Sequence, residues 1–267
     1  MGSLCLLRHD RDRKTGKLQH RRNSQSYADT SCDFPTVWTN RHVEKSTINN
    51  EEGVVVTDNT QGIRDDNSRR SYLSIHGRQF SQNNPFMLPV MVDHVVVAAA
   101  TTVSGNNDNN KMTHLIDCYC GSGLFSLSTA ASFDVCVGIE VNEKAIEEAR
   151  QNAELNGIDN CAFVAASAEA IFDSTTPVEG DVLVQDFPRD TTVVVCDPPR
   201  KGCSEEFLDQ LYTFGPQRIV YMSCDVATQA RDVKGIVAAG YEVTSVQPFD
   251  LFPQTRHIEC LIVLEKK

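Results

Sequence analysis

The sequence predicts an α/β fold built on a mostly parallel, doubly wound sheet, and three observations carry that reading. From residue 114 onward, short aliphatic runs alternate with longer segments of helical pattern. Several runs close on an acid, as in Leu115-Ile116-Asp117, Val137-Gly138-Ile139-Glu140 and Val195-Cys196-Asp197. Such acids fall at the carboxyl ends of strands, where open α/β sheets bind ligands. The last two runs, Tyr241 to Val246 and Ile258 to Leu264, are joined by a loop without helical pattern, so they should close the sheet as an antiparallel pair.

The chain has 267 residues, enough for one full core and a smaller appendage. Residues 1–79 form the appendage, a small irregular N-terminal region of short strands or partial disorder. They are mostly polar, and open with a basic run from Arg8 to Arg22. Residues 80–267 form the main domain, entered at Phe80-Ser81-Gln82-Asn83-Asn84-Pro85. Asn84 suits a helix cap and Pro85 a first helical position, which places a helix over Phe86 to Ala100 despite its valines. An Asn-rich loop over Ser104 to Lys111 precedes the first strand, which enters a Gly-x-Gly turn with a helix from Leu124 to Ala131 behind it. Val135 to Glu140 is the second strand. Asn142 caps a helix from Glu143 to Asn156 that Gly157 ends. Cys161 to Ala165 is the third strand, Pro177 to Asp190 a loop, and Val193 to Cys196 the fourth strand, halted by Pro198 and Pro199. A helix from Glu205 to Phe214, a strand from Arg218 to Met222 and a helix from Ala227 to Ala239 lead to the closing pair.

Composition narrows the classes. No apolar run approaches the roughly 20 residues of a membrane span, and the N-terminus lacks the apolar core of a signal peptide. The ten cysteines are scattered, several among aliphatic neighbours, and no Cys-x-x-Cys pair occurs. That usage fits small buried hydrophobes in a reducing compartment, and gives a metal site no support. An intracellular protein is expected, cytoplasmic or nuclear, with an organelle left open. The net charge of −11 argues mildly against broad nucleic-acid affinity, so a nucleic-acid partner would be gripped locally.

Five strand-end features could carry chemistry. The glycines of Cys120-Gly121-Ser122-Gly123 leave no Cβ in the way of a ligand, and Glu140 could accept hydrogen bonds from a ribose diol. The third glycine of the dinucleotide fingerprint is missing, which favours a smaller nucleoside cofactor. Asp197 projects from the rigid Asp-Pro-Pro turn. Cys224 lies at a strand-to-helix junction, where helix charge should favour its thiolate. Glu259 interrupts an apolar run, so burial should raise its pKa and make it a usable base. Plainer readings exist for four of them: a tight turn for the glycines, a rigid stop for Asp197, a packed thiol for Cys224 and an edge-strand acid in solvent for Glu259. Together they form the minimum set for methylating carbon 5 of uracil. Carbon 5 is a poor nucleophile until a thiolate adds at carbon 6, and a base must then remove the carbon 5 proton.

From Gln79 to the C-terminus the sequence resembles the catalytic domain of the RNA uracil-5-methyltransferases, particularly the eukaryotic-type tRNA 5-methyluridine enzymes. Phe80-Ser81-Gln82-Asn83-Asn84 is similar to that family's Phe-Phe-Gln-x-Asn, and Asp117 to Gly123 to its Tyr-Cys-Gly-x-Gly loop. Asp197-Pro198-Pro199-Arg200 matches its Asp-Pro-Pro-Arg, Ser223-Cys224-Asp225 its Ser-Cys-Asn/Asp, and His257-Ile258-Glu259 its His-x-Glu. The resemblance implies a class I S-adenosylmethionine-dependent methyltransferase fold, with S-adenosyl-L-methionine as cofactor and RNA, chiefly tRNA, as partner. It implies Gln82, Tyr119, Glu140 and Asp197 as cofactor-binding residues, Cys224 as nucleophile and Glu259 as proton acceptor. Ser81 stands in place of an aromatic and Val226 in place of a proline; neither removes a functional group. Leu6-Leu7-Arg8-His9 resembles a strand of the family's intermediate region, so the chain is expected to begin inside that region, without the RNA-binding barrel. Two alternatives remain open. One is a shortened product that binds cofactor or RNA without catalysing. The other is an RNA cytosine-5-methyltransferase, whose cysteine typically follows the Asp-x-Pro of the fourth strand directly.

Overall fold

The computed structural model describes Asn84, residues 87–101, 111–170, 172 and 184–267, and the backbone of three earlier strands. The chain divides into two compact units, Met1–Ser31 and Cys32–Lys267, and all described residues belong to the second. The basic opening and the Asn-rich stretch to residue 110 lie outside the described residues. Strands β1 (Val43–Ile48), β2 (Glu51–Asn59) and β3 (Arg70–Ile75) pair antiparallel in that order, which supplies the short strands expected before residue 80.

The main sheet has seven strands. These are β4 (His114–Cys118), β5 (Val135–Glu140), β6 (Cys161–Ala165), β7 (Thr192–Cys196), β8 (Arg218–Ser223), β9 (Tyr241–Phe249) and β10 (Glu259–Lys266). Their order is β6-β5-β4-β7-β8-β10-β9. The first five run parallel, and β10 pairs antiparallel with both β8 and β9. The chain winds outward from β4 in one direction and from β7 in the other. The carboxyl ends of β4 and β7 therefore flank the crevice where doubly wound sheets take ligands.

Helices cover both faces, which is why these strands read as unbroken apolar runs. Successive strand residues point to opposite sides. On one side Leu115, Val193, Val195, Val220 and Met222 pack with Met91, Val92 and Val95 of α1 (Leu88–Ala100) and Phe125 of α2 (Leu124–Thr129). On the other, Ile116, Cys118, Val194, Cys196, Ile219 and Tyr221 pack with Phe207 and Leu211 of α4 (Glu205–Phe214) and Ile236 of α5 (Val226–Ala238). The fifth helix, α3 (Glu143–Asn156), sets Ile146 and Ala149 against Phe163.

Local chemistry sets the ends. Asn142 caps α3 by accepting from Lys144 N and Ala145 N, and Gly157 ends it at φ 65°. The valine-rich α1 is helical because Met91, Val92, Val95 and Ala99 line one buried face. Asn84 accepts from Met87 N on its side chain and from Leu88 N on its carbonyl, but regular helix begins at Leu88 with Met87 at its N-cap, so Asn84 stands ahead of the cap position expected for it. Helix α2 stops at Thr129, short of Ala131, and passes into a 3-10 turn over Ala130–Ser132. There the Thr129 hydroxyl donates to the carbonyls of Phe125 and Ser126. Strand β9 runs past Val246 to Phe249, because Phe249 still pairs with Glu259 at the start of β10. Its middle residues are exposed at the sheet edge, so no apolar pattern marks its length.

Candidate active site

The site is built where β4, β5, β7 and β8 end and antiparallel β10 begins, all along one edge of the sheet. Cys118 is level with Cys196, and Ser223 with Cys260, so residues from distant parts of the chain become neighbours.

After β4 the backbone turns through three left-handed residues, Tyr119 (φ 64°), Gly121 (φ 54°) and Gly123 (φ 89°). For Tyr119 that conformation costs about 1 kcal/mol. It is held by the bond from Cys120 N to the Ile139 carbonyl and by edge contact of the ring with Phe207 at 5.8 Å. A Cβ on Gly121 would meet nothing within 4 Å, so the backbone there is open to a ligand. Asp117 is fully buried. Its Oδ2 accepts from Ser126 N at 2.9 Å and Ser126 Oγ at 2.6 Å, while Oδ1 has no hydrogen-bond partner. Burial pushes the carboxyl up to about 7; the Ser126 bonds oppose the rise and the charge of Glu140 adds to it. A three-unit rise corresponds to about 4 kcal/mol against the ionised form. Glu140 itself is half-buried, with Oε1 accepting from Asn142 N at 2.9 Å.

Asp197 follows β7 in the turn that Pro198 and Pro199 stiffen. It is part-exposed by area, yet its carboxyl is pushed up to about 8, first by burial and then by the charges of Glu259 and Asp117. Cys224 follows β8 and is half-buried. On either side of it, Ser223 Oγ accepts from Asp225 N, and the Asp225 carboxylate caps α5 by accepting from Ala227 N and Thr228 N. Glu259, the first residue of β10, is buried. Its charge acts on Cys224: burial raises the thiol pKa, the charges of Glu259 and Asp197 raise it further, and the Arg200 guanidinium lowers it. The thiolate expected from the helix N-terminus is therefore outweighed in the free protein by burial and two acids.

An acid-lined crevice with an orphaned carboxylate oxygen beside an open glycine turn suits a ligand that carries positive charge, with Glu140 placed at the next strand end for a diol. The family model described as tRNA (Uracil-5-)-methyltransferase matches residues 55–267. The chain belongs to this family.

The match begins at residue 55, ahead of Gln79, and so takes in part of β2 and all of β3. Among curated uracil methyltransferases, the tRNA (uracil(54)-C(5))-methyltransferase of Saccharomyces cerevisiae is 37% identical over 193 residues, covering 70% of this chain and 28% of the yeast protein. The tRNA (uracil(54)-C(5))-methyltransferase of Schizosaccharomyces pombe is 35% identical over 216 residues, covering 79% of this chain and 39% of that protein. The chain thus spans well under half the length of these relatives. Among solved structures, the tRNA (uracil-54, C5)-methyltransferase of Pyrococcus abyssi in complex with S-adenosyl-L-homocysteine superposes with a TM-score of 0.54 at 30% identity, over 72% of this chain and 42% of that one. The fold is that of the class I methyltransferases, as the family resemblance implied.

Of the residues the family's motifs singled out, Tyr119, Glu140, Asp197, Cys224 and Glu259 all stand at this sheet edge. Gln82 lies outside the described residues. Sequence reasoning placed Asp117 at the strand end but did not count it as a site residue, and did not single out Arg200. The signal for Arg200 was its place in Asp197-Pro198-Pro199-Arg200, directly after the turn; its influence on Cys224 joins segments that only the sheet brings together.

Proposed function

We propose that the chain methylates carbon 5 of uridine in RNA, with tRNA as the favoured substrate and S-adenosyl-L-methionine as methyl donor. The observation that carries this reading is the meeting of Cys224 and Glu259 across β8 and β10, with Asp197 beside them. Asp117, Tyr119, Glu140, Asp197 and Gln82 would hold the cofactor, which supplies an electrophilic methyl group on a cationic sulfur. Arg200 favours the anionic form of the Cys224 sulfur against the pull of the acids. The thiolate adds to carbon 6 of the uracil, and the ring electrons it displaces make carbon 5 nucleophilic. Once carbon 5 carries the methyl group, Glu259 accepts its remaining proton. The carbon 5 to carbon 6 double bond re-forms as the Cys224 sulfur departs with its bonding pair.

RNA carrying 5-fluorouridine tests this reading. Fluorine cannot leave carbon 5 as a cation, so the elimination stalls and the covalent complex persists. Wild-type protein with cofactor should form an adduct stable on a denaturing gel, and Cys224→Ala should form none. An adduct of undiminished yield in Cys224→Ala would sink the proposal.

A further inference from the structure

One face of α5 binds β8, β10 and the Arg200–Cys203 loop. Gln229, buried, donates from Nε2 to the carbonyls of Tyr221 and Cys260, stapling β8 to β10 beneath Cys224 and Glu259. Thr228 Oγ1 donates to the Arg200 carbonyl at 3.0 Å. The Arg231 guanidinium donates to the carbonyls of Lys201 at 3.0 Å and Cys203 at 3.3 Å. Asp232, also buried, accepts from Cys203 N at 2.9 Å and Tyr221 Oη at 2.7 Å on one oxygen, and from Arg231 Nε at 2.8 Å on the other. The loop approaches so closely that a Cβ on Gly202, at φ 78°, would lie 2.5 Å from the Asp232 carboxylate. A buried carboxylate is costly unless fully bonded. No step of the proposed reaction uses Asp232, so its bonds to the loop are its evident task.

We infer that Thr228, Arg231 and Asp232 are positioning residues: together they hold the Arg200–Cys203 loop in fixed register with the start of α5, and so keep Arg200 near Cys224, the residue that precedes the helix cap. The inference rests on the proposed role of Cys224. Nucleophile and cation then ride on a single unit, since Cys224 immediately precedes the Asp225 cap of the helix that grips the loop. Without the grip, the loop is free to carry Arg200 away, and the thiol is left with burial and two acids, all of which oppose the thiolate.

The test is the pH dependence of Cys224 alkylation by iodoacetamide, followed by mass spectrometry of the peptide that carries it, in the full chain. Asp232→Asn keeps one acceptor oxygen, so it must release either Arg231 or the Cys203 N–H, since only the Tyr221 hydroxyl can turn to accept from the new amide. Thr228→Val removes only the hydroxyl on the Arg200 carbonyl and keeps the side-chain shape. Both variants should react roughly 3- to 10-fold more slowly at neutral pH, with the midpoint moved upward by about half to one unit. Arg200→Gln should give the same shift, and adding Asp232→Asn to it should give little more. Profiles that match wild type, or fully additive shifts, would overturn the inference; should Asp232→Asn fail to fold, Thr228→Val decides alone. Alkylation requires no methyl transfer, so the clamp is read out even if Cys224→Ala remains active and the nucleophile assignment falls.

Discussion

Glu259 and Cys224 illustrate how residue identity and residue setting differ in legibility. Both positions were readable from short motifs, and Glu259 is buried as its apolar neighbours require. The setting of Cys224 was not readable, because it depends on Asp197, Arg200 and Glu259, which the sheet brings in from two other strand ends. Replacing Glu259 by Gln removes the proposed proton acceptor and keeps the shape. Adduct formation on RNA should survive while turnover falls by roughly 10²- to 10⁴-fold, measured as product released per covalent complex formed. A variant that turns over normally would remove Glu259 from the reaction. The raised carboxyls give a pH prediction. The folded protein holds protons on Asp117 and Asp197 up to about 7 and 8, against an ordinary 3.8. Their contribution to stability is thus fully present below about pH 4 and is lost as pH rises through 7 and 8. A cationic ligand favours the ionised forms, so S-adenosyl-L-methionine should bind more tightly from pH 6 to 9 and release protons near pH 7. Calorimetry in buffers of different ionisation heat reads this directly, and proton uptake would contradict it.

At the scale of elements, boundaries were legible wherever a cap or a glycine marks them. Helix α3 begins after Asn142 and ends at Gly157, and α4 and β5 also match their predicted spans. Boundaries failed where long-range pairing decides, as at β9, whose exposed middle residues carry no alternation. The hold on α1 was hidden too. Arg218 is buried in β8 and donates to Glu265 at 2.6 Å, and also to the carbonyls of Ala98, Ala99 and Thr101 at the end of α1. It caps that helix from across the sheet, where no local pattern announces it. Replacing Arg218 with Met strands the Glu265 carboxylate and three carbonyls, and should cost about 3 kcal/mol. A denaturant melt checks this, and a loss below about 0.5 kcal/mol would show that water replaces the arginine without penalty.

For the whole molecule, alternating strands and helices implied a doubly wound sheet with a closing antiparallel pair, but not which strands sit side by side. That order is what matters for function, since it sets the ends of β4 and β7 next to each other and folds β10 back so that Glu259 reaches Cys224. Tyr119, Glu140, Asp197, Cys224 and Glu259 come to one end of a single sheet through its winding. This one edge is thus proposed both to hold the cofactor and to activate uracil. Methyl transfer from labelled S-adenosyl-L-methionine to unmodified tRNA, wild type beside Cys224→Ala, with the product nucleoside identified by mass spectrometry, tests it most directly. Wild type should yield 5-methyluridine and the variant none. Methylation at another atom, or wild-type yield from the variant, would contradict it.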